Sequence, residues 1–157
     1  MYWFIVALYA LHVISAIVWF GGGLTGVLIT GPALQRASAG ARGEVSFHLG
    51  ALAHKVYPVA GTMTIVLGVV LALLGGRVSS LEGLATPYGI TVIVALILAV
   101  GVWTWGEFVI GPAMQRMQKA QPADRPSLLS RALKYVALEQ FGFLAVFGCM
   151  VLMRFGV

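Results

Sequence analysis

Apolar residues run along this chain in four long blocks, parted by polar stretches of unequal length. The blocks cover roughly 3–30, 56–76, 88–110 and 132–153. A helix needs about 20 mostly apolar residues to cross a bilayer. The pattern therefore predicts an all-α integral membrane protein, a four-transmembrane-helix bundle in a single membrane domain over 1–157. The polar stretches 31–54 and 111–131 read as long loops, and 77–87 as a short one. Each long stretch opens with Gly-Pro, which is expected to break the preceding helix.

Composition agrees with the pattern. The chain is 60% hydrophobic and 10% charged, with a mean hydropathy of +0.96, whereas soluble domains carry about 25% charged residues. A single cysteine, Cys149, excludes an internal disulfide and a Cys-rich metal site. The first apolar run has no basic residue before it and exceeds a signal-peptide core of about 7–15 residues, so no cleavable signal is expected. The net charge of +5 speaks to topology and anionic lipid, and no nucleic-acid partner is expected. Arg36, Arg42, Lys55, Arg116, Lys119, Arg125, Arg131 and Lys134 lie in or beside the two long polar stretches. The short one carries Arg77 against Glu82, and Arg154 is the one dissenting charge. By the positive-inside rule both long stretches face the cytoplasm. The expected location is the bacterial inner membrane, multi-pass, with both termini outside.

Residues 31–36, GPALQR, recur 80 positions later as 111–116, GPAMQR. At the same offset Gly21 meets Gly101, Gly26 meets Gly106, Val56 meets Val136, Gly68 meets Gly148 and Gly76 meets Gly156. This reads as two tandem helical hairpins, halves of about 1–80 and 81–157, related by a pseudo-twofold along the membrane normal. The odd residues then become informative. His12 aligns with Val92, Val27 with Glu107, and His54 with Lys134. Chemistry on this frame is expected to be asymmetric.

At 3.6 residues per turn His12, Ser15, Trp19, Gly22 and Gly26 fall on one side of the first span. Gly22 and Gly26 make room for another backbone or a flat ligand. His12 therefore faces the bundle interior. A neutral imidazole there serves as an axial ligand to haem iron, as a hydrogen-bonded interior group or in proton handling.

The stretch ALHVISAIVWFGG, residues 10–22, resembles the first helix of HemJ-type protoporphyrinogen oxidases, with their Ala-Leu-His-(Val/Ile)-x-x-x-x-x-Trp-x-x-Gly pattern. Related first helices occur in CopD-type copper-resistance membrane proteins. The HemJ likeness covers about residues 8–22. Over its full length the chain resembles bacterial predicted integral membrane proteins of unknown function. These have four spans, a His…Trp-x-Gly-Gly opening and a third span ending in a Gly-Pro-x-x-x-Arg-Met-like segment. The HemJ resemblance implies that His12 ligates haem b. It does not extend to that family's lysine within a later helix, because the third span, GITVIVALILAVGVWTWGEF, has none. Haem binding is thus implied more strongly than protoporphyrinogen oxidation, and whether the chain is an enzyme stays open.

Counting depth from the ends of the expected loop sets His12 level with about residue 72 of the second span and 148–153 of the fourth. Met150 or Met153 is then a candidate sixth ligand, or a packing residue. His54 falls near Val27 on the cytoplasmic side, too far away to share an iron with His12. A second polar cluster is expected there: His54, Lys55, Tyr57, Glu107 and Lys134, with Glu139 a turn deeper. It reads either as a Glu107–Lys134 ion pair or as a proton route, a polar cavity or a second haem site on His54. Trp103 and Trp105 are read as interfacial anchors or pocket walls. No phosphate-binding loop, nucleophile elbow or zinc motif is present.

The leading expectation is a small b-type haem protein for electron transfer or haem handling. The alternatives are a non-catalytic accessory subunit of a larger membrane complex and a small-solute or metal transporter. Expected partners are the lipid bilayer, a redox partner or larger complex, and a second copy of the chain.

Overall fold

A computed structural model describes residues 2–75, 78, 80–121 and 125–156. Their regular structure is wholly helical. Four helices are long and apolar enough to cross a membrane, so this is a multi-pass membrane protein. In chain order the elements are α1 (Tyr2–Arg36), α2 (Ala39–Leu74), the short α3 (Leu81–Leu84), α4 (Pro87–Met117) and α5 (Arg125–Arg154).

The helices outrun the bilayer. The 36 residues of α2 span about 54 Å, against about 30 Å of hydrocarbon. The surplus lies at the polar, basic end. The stretches 31–54 and 111–131, expected as loops, are therefore largely helical. Outside the hydrocarbon a helix needs no apolar surface, so polarity alone does not distinguish it from a loop. Arg77 and Gly76 lie outside the described residues.

The expected breaks at Gly-Pro do not occur either. Proline lacks an N–H, and its ring collides with the carbonyl four residues back. Here a wider π turn precedes each one, Gly26–Thr30 before Gly31-Pro32 and Gly106–Ile110 before Gly111-Pro112. Gly31 N–H donates to the Gly26 carbonyl and Gly111 N–H to that of Gly106, five residues back. That extra residue in the turn accommodates the ring and the helix continues. The two π turns stand at the same 80-residue offset as the repeated hexapeptide.

The α1–α2 connection is consequently short. Ser38 Oγ accepts from Ala41 N–H at the start of α2. Arg42 Nε donates to the Leu34 carbonyl at 2.9 Å, and its Nη2 to those of Gln35 and Ala37. These carbonyls lie at the end of α1, where helical donors run out; that of Leu34 also accepts from Ala37 N–H, and a cation there suits the negative end of the helix dipole.

α1 packs along α2 and α4 along α5, while α2–α4 and α1–α5 contacts join the two hairpins. One layer draws a core residue from each long helix: Trp19, Ala60, Val102 and Phe143. The Trp19 and Phe143 rings meet edge to face, 4.8 Å apart. Lipid is as apolar as leucine, so such helices associate through close packing rather than through water exclusion. Gly61 shows how close: a Cβ there would stand 2.6 Å from Trp103 Cδ1 and 3.0 Å from Trp19 Cε2. Two indoles from two neighbouring helices close over this one position.

Candidate functional site

His12 reaches across to α2. Its Nδ1 lies 2.9 Å from the Thr64 carbonyl oxygen. A carbonyl only accepts, so Nδ1 carries the proton and Nε2 keeps the lone pair. The ring lies over Gly68, whose Cβ would come 3.1 Å from His12 Cε1. His12 is therefore level with Thr64–Gly68, not with residue 72. The expected depth assumed a long loop, whereas the chain turns at Ala37–Ser38. Across α1 and α5, Trp19 and Phe20 meet Phe143, and Gly23 meets Gln140. Continuing that antiparallel register brings His12 level with Met150, which is half-buried, with Met153 about a turn further out.

The expected stripe on α1 does not stay on one face. Trp19 is buried, and His12, Ser15 and Gly22 are half-buried, but Gly26 is exposed, and a Cβ added to it meets nothing within 4 Å. The π turns Ile17–Gly21 and Gly26–Thr30 take more residues per turn and rotate the later positions off the line drawn at 3.6. Gly22 still permits a close approach, because the Tyr57 ring lies against it, its hydroxyl 2.8 Å from where a Cβ would stand.

A polar layer crosses the bundle at the level of Gly22. Glu139 Oε1 rests on the α4 backbone, 2.9 Å from the position of a Gly106 Cβ. Glu107 and Tyr57 both lie within electrostatic reach of Glu139. Gln140 Nε2 faces Gly23. Both amide atoms of Gln140 are closed off from solvent, and neither has a hydrogen-bond partner. The structure thus gathers Glu107, Glu139 and Tyr57 from the expected cluster. It leaves His54, Lys55 and Lys134 exposed, and the Glu107–Lys134 ion pair does not form. Those three basic residues lie where the helices emerge toward the basic end, so they are drawn outward to solvent. Sequence reasoning missed Gln140. The available signal was a glutamine next to a glutamate in an apolar span, where an unbonded amide is costly.

Trp103 and Trp105 are not simple interfacial anchors. Trp103 Nε1 donates to the Pro58 carbonyl at 3.4 Å and Trp105 Nε1 to the Tyr135 carbonyl at 3.1 Å. Each indole is thereby tied to a neighbouring helix. Among the described residues no group of three or more His, Cys, Asp or Glu is arranged to hold a metal ion. Any metal held here would rely on other ligands or arrive within a cofactor.

One protein family matches residues 14–123, more than half of the chain, under the description "domain of unknown function (DUF4149)". No curated protein and no solved structure gives a match.

Proposed function

We propose, from the premise that the chain belongs to the DUF4149 family, that it is a small b-type haem-binding protein of the bacterial inner membrane, serving electron transfer or haem handling. The family brings no chemistry with it, so the reading rests on one observation: His12 Nδ1 is held by the Thr64 carbonyl, which leaves the Nε2 lone pair unclaimed by that bond. Metal-bound histidines commonly use their second nitrogen in this way, and the bond fixes both tautomer and ring orientation. Gly68 makes room for the imidazole itself, and Leu11, Val13 and Ile14 flank His12 with apolar side chains along α1. Met150, at the level of His12, is the candidate second ligand, and His/Met ligation would raise the reduction potential. Bound haem would supply one-electron chemistry. The chain's own part is to orient His12, exclude water and set the polarity around it. A redox partner or larger membrane complex would exchange the electrons.

The absorption spectrum of the purified protein tests this reading. A Soret band that shifts on dithionite reduction is expected. A colourless protein, expressed with haem in ample supply, overturns it.

The orientation belongs to the same proposal. Arg36, Arg42, Lys55, Arg116, Lys119, Arg131 and Lys134 gather at the end of the bundle where α1 passes to α2 and α4 to α5. Positive-inside sorting puts that end in the cytoplasm and both termini outside. Alkaline phosphatase fused after Val157 should be active and green fluorescent protein there dark; the reverse pattern contradicts the orientation.

A further inference from the structure

Between α4 and α5 the outer face of the bundle opens into a groove of about 540 Å³, whose lining includes Ile97, Gly101, Trp105, Leu138, Glu139 and Phe141. Ile97, Leu138 and Phe141 are exposed on the apolar flank of the bundle, so in a membrane the groove opens to lipid. At Gly101 it is roomy, because a Cβ there would meet nothing within 4 Å. The Trp105 wall is fixed by its bond to the Tyr135 carbonyl and by edge-to-face contact with the Tyr135 ring at 5.9 Å.

One lining group does not match the rest. Glu139 is an acid among these apolar lining residues, its Oε1 beside the α4 backbone at Gly106, and among the described residues no cation pairs with it. Its charged neighbour is another carboxylate, Glu107. An acidic side chain in hydrocarbon is costly unless it is paired or used. The group that would complement it is a cation. A bare inorganic ion needs several oxygen ligands, which this mostly hydrocarbon wall does not offer. A cation with apolar mass of its own fits the groove, the carboxylate and the indole together, since an aromatic face also attracts positive charge.

We propose that the α4–α5 groove is a binding site for a lipophilic organic cation, which enters from the bilayer and sets its charge against Glu139 beside Trp105. This stands apart from the haem reading, because His12 lies between α1 and α2.

Tetraphenylphosphonium is the probe, titrated into the detergent-purified chain and followed by tryptophan fluorescence and equilibrium dialysis. Saturable binding is expected. Glu139→Gln, nearly isosteric, should weaken it roughly tenfold or more by removing the charge partner. Gly101→Leu should weaken it comparably by filling the groove, with helicity and melting temperature retained. Ile97→Trp at the rim serves the same purpose if Gly101→Leu fails to fold. His12→Ala and His54→Ala should bind as the parent does, so a failed haem reading leaves this result intact. Unsaturable binding to the parent chain overturns the proposal, as does unchanged affinity in Glu139→Gln. It also falls if Gly101→Leu disperses a dimer while cation binding persists, because the groove is then a subunit interface.

Discussion

Gly61→Ala is expected to melt well below the parent protein in detergent, with a stability loss of about 1–3 kcal/mol or more. The added methyl would lie 2.6 Å from Trp103 Cδ1 and 3.0 Å from Trp19 Cε2. Neither ring can retreat freely. Trp103 donates to the Pro58 carbonyl, and Trp19 is buried against Phe143. The strain therefore falls on the contacts that join the two hairpins at the core layer. Gly26→Ala is the matched control, since its methyl meets nothing within 4 Å; a change within about 0.5 kcal/mol is expected there. Thermal melts followed by circular dichroism separate the two. Equal melting temperatures for both variants would contradict the packing of the core layer.

The contrast between these glycines marks how far the sequence could be read. Four spans were legible because lipid demands long apolar helices, a requirement written directly into composition. The helical extensions beyond the bilayer were not, since polar residues suit an exposed helix as well as a loop. The π turns before Pro32 and Pro112 were also hidden: proline announces a difficulty for the helix without saying how the backbone meets it. That uncertainty carried into the site, where turns of uneven residue count moved Gly26 off the line through His12 and Trp19. Glu107 and Glu139 stood out as rare acids in apolar spans, and the structure brings them together. The partner of His12 could not be foreseen, because it is a main-chain carbonyl, and every residue has one. For the same reason Arg42 counted only as a topology charge, although it binds three carbonyls at the end of α1.

The most direct test of the haem reading is the haem content per chain of His12→Ala beside the parent protein and His54→Ala. His12 is the half-buried histidine whose Nδ1 is engaged by the Thr64 carbonyl, while His54 is exposed toward the basic end. Removing the imidazole takes away the proposed iron ligand but opens only a small space beside Gly68, so the helices should still assemble. Met150→Leu, which keeps the volume of the side chain, should move the low-spin bands while haem is retained if Met150 is the second ligand. Pyridine haemochrome absorbance, normalised to protein, gives the decisive comparison. His12→Ala is expected to lose most of its haem while eluting from a sizing column as the folded parent does, and His54→Ala to keep its haem. Equal haem content in His12→Ala and the parent would exclude His12 as the iron ligand and leave it as an interior hydrogen-bonding residue.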